Sequence, residues 1–164
     1  MARSMKEVHT INYYPINEGA ARRAKERNSF SDYKEGSATA EYRAMVDKAA
    51  AIAEQQKSRV DPMYHEKIDH LLDTYARKLA ENMNQGFAID ARVPSVLIVG
   101  PSNFPVGKKE KQNRARDSHM EAWRHSQGLP DKLRRPWLAG LRHQDTSALD
   151  QPPTHPDGPD PPHA

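Results

Sequence analysis

Cysteine is absent from this chain of 164 residues, which excludes thiol nucleophiles, disulfide bonds and cysteine-ligated zinc. No run of residues approaches the roughly 20 consecutive apolar positions that a membrane-spanning helix requires. The start, MARSMKEVHTINYY, has no apolar core of the kind found in signal peptides. We therefore expect a cytoplasmic protein without a membrane partner.

Apolar residues are also scarce. Hydrophobic residues make up 36% of the chain and charged residues 29%, against averages of about 45–50% and about 25% in soluble domains. The length is enough for one domain of ordinary size, but the apolar residues must be concentrated for a core to form. The net charge is only +3, so the whole molecule is neither a polycation nor an acidic mimic of DNA.

Two long segments carry apolar residues at the three-and-four spacing of an amphipathic helix. The first runs from about 38 to 58, and the second follows Asp61 and ends at Gly86. Asp61 can cap free helical amides, Pro62 suits the first helical position, and Gly86 suits a left-handed stop. Because the connection between them is short, we expect an antiparallel helical hairpin that holds most of the core.

The other segments offer less apolar surface. A short amino-terminal helix should follow Asn17, which can cap it, and end near Asn28. The proline-bracketed stretch 91–106 is the one extended segment, and its VLIV side chains should cover the hairpin. The basic helix that follows has only Met120 and Trp123 as large apolar residues, which predicts that it docks lightly on the domain or docks on a partner.

Proline dominates the end of the chain. Eight of the 13 prolines lie between Pro130 and Pro162, and the last residues show no periodicity. Such a segment buries too little surface to offset its ordering entropy. The predicted fold class is therefore mainly α, with one helical domain at residues 1–128 and a disordered proline-rich tail at residues 129–164.

The stretch VLIVGPSNFPVGKKEK invites comparison with a phosphate-binding P-loop, in which Gly-x4-Gly-Lys-Ser/Thr follows a strand. Here six residues separate Gly100 from Gly107, and Lys109 stands where the hydroxyl residue should be. Pro101 and Pro105 remove two amide donors from the loop. Nucleotide binding is therefore not expected at this loop.

No other pattern indicates catalysis or a metal. His65 and His70 are five positions apart, which turns them about 140° from each other on a helix, whereas a zinc-binding pair is spaced by four. The chain has no Gly-x-Ser-x-Gly elbow. Carboxylates of the two long helices stand among lysines and arginines, as they do on solvated faces. We expect a protein that is not an enzyme and that uses no metal or cofactor.

A basic run after Val106 is the strongest polar feature. Between Pro101 and Arg135 there are nine basic and four acidic residues, a net charge of +5 that exceeds the charge of the whole chain. Such a helix can lie along phosphates, with Trp123 available for stacking, or it can be an ordinary solvated face. The candidate binding residues of this run are Lys108, Lys109, Lys111, Arg114, Arg116, Trp123 and Arg124.

The short amino-terminal helix carries a smaller basic group, with Arg22 and Arg23 as further candidate binding residues. Rings stand nearby in the sequence, at Tyr13, Tyr14, Phe30 and Tyr33. Rings and guanidinium groups together suit contact with nucleic acid or with a protein that carries it. The same aromatic residues could equally pack in a small core.

Two stretches resemble the sequences of a known family. They are NYYPINEGAARRAKERNSFSDYKEGSATAEYRAMVDKAAAIAEQQKSRVDPMYHEKID and RVPSVLIVGPSNFPVGKKEKQNRARD. The chain from about Met5 to Gln127 resembles the amino-terminal part of an uncharacterised protein family of bacterial conjugative elements, plasmids and phages, with a possible relation to type II anti-CRISPR proteins. In that family further helix follows, where this chain has LPDKLRRPWLAG and the proline-rich tail.

The resemblance implies a mobile-element accessory protein of the bacterial host cytoplasm and implies no catalytic residue. We expect an anti-CRISPR inhibitor that binds a Cas9-type nuclease, its guide or its target DNA and blocks cleavage by occupancy. The first alternative is a DNA-binding accessory protein of conjugation or of plasmid or phage replication. A nucleotide-dependent enzyme that needs Lys108 ranks last. A two-helix layer also leaves an apolar face that a second copy could cover, so a homodimer is possible.

Overall fold

The structure, a computed structural model, describes residues 10–134, and this part of the chain is helical and contains no β-strand. Within it, six α-helices follow an amino-terminal strap, residues 10–17. They are α1 (Glu18–Asn28), α2 (Ser37–Lys57), α3 (His65–Asp90), α4 (Val96–Val99), α5 (Val106–Gln127) and α6 (Leu129–Arg134). Short 3-10 turns precede α3 at Pro62–Tyr64 and follow α4 at Pro101–Asn103. The predicted mainly α fold class is confirmed.

The central hairpin consists of α2 and α3. Asp61 accepts a hydrogen bond from the Met63 amide at 2.9 Å, so it caps the turn that leads into α3. At the start of α2, Gly36 has φ of 77°, a left-handed conformation that suits glycine. The carboxylate of Glu18 reaches across from α1 and accepts the Thr39 amide hydrogen at 2.7 Å. The predicted hairpin is therefore confirmed, with one of its helix starts capped from a different element.

The main core cluster lies between the two hairpin helices. Tyr42 and Val46 of α2 are fully buried together with Leu79 of α3. The Tyr42 hydroxyl donates a hydrogen bond to the Ala76 carbonyl at 3.0 Å, which satisfies the polar tip of a buried ring. Fully burying a large apolar side chain stabilises a fold by about 1.5–3 kcal/mol. The other buried members are Ala49, Tyr75, Ala80, Met83 and Leu129.

Gly86 does not end α3, so the predicted left-handed stop is wrong. The helix continues to Asp90, four residues beyond this glycine. A Cβ atom at Gly86 would lie 3.1 Å from Cε1 of His119 on α5, which is closer than most such contacts. The absence of a side chain at Gly86 therefore allows His119 of α5 to approach α3 closely. The local sequence around Gly86 gives no sign of this contact.

The predicted extended segment has a different structure. Its VLIV residues form α4. The Ser95 side chain caps the start of this helix by accepting the Leu97 amide hydrogen. Gly100 ends this helix with φ of 80°. The side chains of Val96, Leu97 and Val99 are exposed, so they do not cover the hairpin as expected.

The folded part also extends past the boundary predicted at Gly128. The next six residues form α6, which packs against α2 and α3. Leu129 and Leu133 are buried, and Leu133 joins Ala53 and Ile68 in a second core cluster. These residues therefore belong to the domain, while the rest of the predicted tail, 135–164, lies outside the described residues.

The strap and α1 are fastened to the hairpin by polar contacts. The Tyr14 amide donates to the Tyr42 hydroxyl at 2.9 Å, and the Tyr14 hydroxyl donates to Asp73 at 2.9 Å. Asn17 caps α1 by accepting the Ala20 amide hydrogen at 2.9 Å, as predicted. The strap thus covers one side of the hairpin before α1 begins.

Candidate nucleic-acid and partner interface

The basic helix α5 is attached to α3 mainly through polar groups. The buried Gln112 side chain donates hydrogen bonds to the Ile89 carbonyl at 2.7 Å and to the Asp90 carbonyl at 3.3 Å. Asn28 of α1 donates to the same Asp90 carbonyl at 2.9 Å. The Ile89 carbonyl also accepts the Arg92 amide hydrogen at 3.1 Å, so Gln112 adds to a backbone hydrogen bond there. Side chains of α1 and α5 supply the hydrogen bonds to the Asp90 carbonyl at the end of α3.

A second polar group joins α5 to α3 farther along. The Asn82 side chain donates to the Ser126 hydroxyl at 2.9 Å, and both residues are buried. A ring nitrogen of His119 lies 2.6 Å from the Asn82 carbonyl oxygen. The prediction that α5 docks lightly for want of apolar residues is wrong, because buried hydrogen bonds supply specific contacts at both ends of the helix.

Two of the predicted binding residues are part of this attachment. Nε of Arg116 donates to Oδ1 of Asp90 at 2.7 Å in an ion pair. Trp123 is half-buried and packs against the main core cluster. Because the ring packs on the core, it is less accessible for stacking on a base.

Lys109 lies between the attached and the solvated sides of α5. It is half-buried, and burial lowers the pKa of its ammonium group. The neighbouring Arg116 guanidinium also lowers that pKa, while Asp90 acts in the opposite direction. Lys109 is therefore less suited to phosphate contact than its exposed neighbours.

The remaining cations of α5 are exposed. Lys108, Lys111 and Arg114 follow each other at intervals of three, and Arg124 lies farther along the helix. None of these four forms an ion pair with a residue in the described range 10–134. We call Lys108, Lys111 and Arg114 the α5 cation triad.

The two candidate residues of α1 differ from each other. Arg22 forms an ion pair with Glu35, and its guanidinium carbon lies 5.8 Å from the centre of the Tyr33 ring. Arg23 is exposed and has no ion-pair partner among residues 10–134. Arg22 is therefore already paired within the domain, whereas the exposed Arg23 side chain is accessible to a partner.

The basic segments of α1 and α5 flank a cleft of about 310 Å³. Ala21 and Ala24 of α1 and Phe87 of α3 supply apolar walls, while Lys25 of α1 and Arg116 of α5 contribute cations. Lys108 is not among the lining residues, so the lysines after Gly107 do not surround this cavity.

Arg92 is a basic residue that the sequence analysis did not select. It lies just beyond α3, and its carbonyl accepts a hydrogen bond from Nη1 of Arg27 at 3.3 Å. The contact brings together positions 65 residues apart in sequence. No local signal marks such a pair, because it arises from the packing of α1 against the end of α3.

His65, one of the two histidines compared with a zinc-binding pair, has a structural contact. A ring nitrogen of His65 lies 2.9 Å from the Lys57 carbonyl oxygen at the end of α2. Across residues 10–134, no group of three histidine or acidic side chains is arranged to hold a metal ion. Nor does any helix of that range have the length and apolar character to cross a membrane.

The fold and the surface together define a small all-helical domain that presents exposed cations along one helix. Comparison of the chain with protein-family models, with curated proteins and with solved structures finds no match in any of the three.

Proposed function

We propose that this protein is a non-enzymatic accessory protein of a mobile genetic element that inhibits a Cas9-type nuclease. It binds the effector, its guide RNA or its target DNA and prevents cleavage by occupancy. The mobile-element assignment rests on the family resemblance in the sequence, and the mode of action rests on the charged surface of α5.

The α5 cation triad carries the proposal. Lys108, Lys111 and Arg114 are exposed and are not neutralised by a described carboxylate. Cations presented in this way can contact phosphates or acidic protein surfaces at little cost, because no internal ion pair has to be broken first.

The attachment of α5 supports the same proposal. Gln112 and Ser126 are buried near the two ends of the helix, and Arg116 is paired with Asp90 between them. A charged helix held at several points keeps its side chains in register, which lowers the entropy lost when a partner binds.

The test is a DNA cleavage assay with a loaded Cas9-type nuclease and an excess of the purified full chain. We expect inhibition by the natural chain and loss of inhibition when Lys108, Lys111 and Arg114 are all changed to alanine. The matched control changes Lys48, Arg59 and Lys67 to alanine, because these three cations are exposed on other elements. Full cleavage in the presence of the natural chain would refute the proposal.

DNA binding in conjugation or replication is a second candidate, and the three-residue spacing of the triad along one helix favours it. In this case the chain binds DNA in the absence of a nuclease, and salt weakens the binding. The slope of log affinity against log salt should fall by about 0.9 for each lost phosphate contact when the triad is removed. A gel-shift series with DNA, guide RNA, nuclease and the assembled complex separates the two candidates.

A further inference from the structure

Helix α4 exposes apolar side chains to solvent. Leu97 is 75% exposed, and Val96 and Val99 on either side of it are also exposed. Phe30, which is 80% exposed, follows the end of α1, where α4 is attached. We call Phe30, Val96, Leu97 and Val99 the apolar ridge. A group of exposed apolar residues in a chain so poor in them is typical of an interaction surface.

The backbone holds the ridge in place. The Ser95 amide donates to the Arg27 carbonyl at 2.8 Å, which joins the start of α4 to α1. The Ser95 hydroxyl accepts the Leu97 amide hydrogen at 3.2 Å, and Ile98 is half-buried beneath the exposed residues. The ridge is therefore fixed to the domain, so little ordering is required when a partner covers it.

Two positive charges lie beside the α4 side of the ridge. Arg27 and Arg92 are both exposed, and a hydrogen bond from Arg27 to the Arg92 carbonyl brings them together next to Ser95. Neither forms an ion pair with another residue in the range 10–134. A partner that covers the ridge must therefore meet two guanidinium groups at its edge.

We propose that the apolar ridge binds an acidic amphipathic segment of another protein. Apolar side chains of that segment cover Leu97 and its neighbours, and its carboxylates pair with Arg27 and Arg92. This inference is independent of the proposed function, because it uses none of the α5 cation triad and requires no nuclease.

The same features disfavour other occupants. In a twofold pairing of ridges, a second copy would bring Arg27 and Arg92 close to the same residues of the first. Nucleic acid would find one ring, Phe30, to stack on, while the three aliphatic side chains of α4 neither stack on bases nor donate hydrogen bonds. A membrane-bound helix relies on a long apolar face, whereas α4 has four residues.

The test measures binding of fluorescent model peptides to the full chain by anisotropy. Two helical peptides share the same leucine face, and one has glutamate on the other face where its counterpart has lysine. We expect the glutamate peptide to bind about tenfold more tightly than the lysine peptide. Leu97→Ser should weaken that binding about tenfold, and Arg27→Ala with Arg92→Ala should remove the preference for glutamate.

The matched control is Met63→Ser, because Met63 is also exposed but lies outside the ridge. It should leave the affinity for the glutamate peptide unchanged. Equal binding of both peptides, or equal loss with Met63→Ser and Leu97→Ser, would overturn the proposal. So would preferential binding to vesicles of phosphatidylcholine and phosphatidylserine, or self-association that Leu97→Ser abolishes.

Discussion

Single polar side chains make several of the contacts that hold this fold together. Gln112 is buried on α5, yet its amide nitrogen satisfies two carbonyls at the end of α3. Glu18 is on α1, yet its carboxylate accepts hydrogen bonds at the start of α2. In each case a side chain far away in sequence supplies hydrogen bonds at the end of another helix.

We predict that Gln112→Ala destabilises the protein by about 1 kcal/mol, because it removes hydrogen bonds to the Ile89 and Asp90 carbonyls and creates a cavity, while each carbonyl keeps another donor. Chemical denaturation followed by circular dichroism measures this change in the free energy of unfolding. Asn113→Ala is the control, since Asn113 is exposed on the same helix and such changes stay within about 0.5 kcal/mol. Equal stability of the two variants would show that the Gln112 contacts contribute little.

Glu18 makes the stability of the protein depend on pH. Hydrogen bonds from Thr39, and then from the Tyr33 hydroxyl, hold the pKa of its carboxyl below the ordinary value of 4.5, while burial opposes them. Because the folded state binds the proton less readily than the unfolded state, this contribution is present above pH 4.5. It is lost as the pH falls through the lower pKa of the folded state.

We therefore predict that acidification below pH 4.5, the ordinary pKa of this carboxyl, lowers the stability of the natural chain more steeply than that of Glu18→Gln. Glutamine keeps an oxygen that can accept the Thr39 amide hydrogen but cannot titrate. Urea denaturation at a series of pH values measures the difference in slope. Parallel pH profiles would mean that the Glu18 carboxyl has the same pKa in the folded and unfolded states.

At the scale of elements, α6 shows that the domain extends beyond residue 128. Its two leucines are buried against the hairpin, although the composition of the chain from residue 129 onward predicted a tail. A short amphipathic helix can be stable in such a position because the hairpin, and not its own length, supplies its stability.

We predict that Leu133→Ala destabilises the protein by about 3 kcal/mol, since Leu133 is fully buried in the second core cluster. Lys132→Ala, the exposed neighbour, should change the stability by less than about 0.5 kcal/mol. Thermal and urea denaturation of both variants measure the difference. If Leu133→Ala left the free energy of unfolding unchanged, the conclusion that residues 129–134 belong to the domain would be wrong.

Helix starts were easier to predict from sequence than helix ends and attachments. Asn17 and Asp61 cap the backbone within three residues of themselves, so local spacing is enough to identify them. Gly86 and the VLIV stretch have roles set by distant elements: one accommodates His119, and the other is held by Arg27. Local propensity carries no information about such partners.

At the scale of the whole molecule, the apolar face of the hairpin is covered within the chain. The strap packs Ile11 and Tyr14 against the main cluster, α5 contributes Trp123, and α6 contributes Leu129. The reason for expecting a homodimer, an uncovered face of a two-helix layer, does not apply to this arrangement.

We therefore predict that the protein is a monomer of 18.6 kDa in dilute solution. The strap, α5 and α6 already cover the apolar face of the hairpin, so a second copy is not needed to bury it. Sedimentation equilibrium over a range of concentrations measures the mass, and Met63→Ser serves as a neutral surface control. A stable dimer that is insensitive to salt would contradict this expectation.

The predicted binding surface is smaller than the sequence indicated. Of the seven candidates after Val106, Arg116 is paired with Asp90, Trp123 packs on the core, and Lys109 is half-buried. The α5 cation triad and Arg124 remain exposed. A count of charges along the chain cannot distinguish these cases, because burial and pairing depend on which helix lies opposite.

The sequence by itself determined the helical character, the hairpin and the caps at Asn17 and Asp61, since periodicity and capping act over a few residues. Only the tertiary structure decided how α5 is attached, that α6 belongs to the domain and which cations face solvent. Those outcomes depend on contacts such as Gln112 with Ile89 and Arg27 with Arg92. Their partners are brought together only by the packing of whole helices, so no local pattern encodes them.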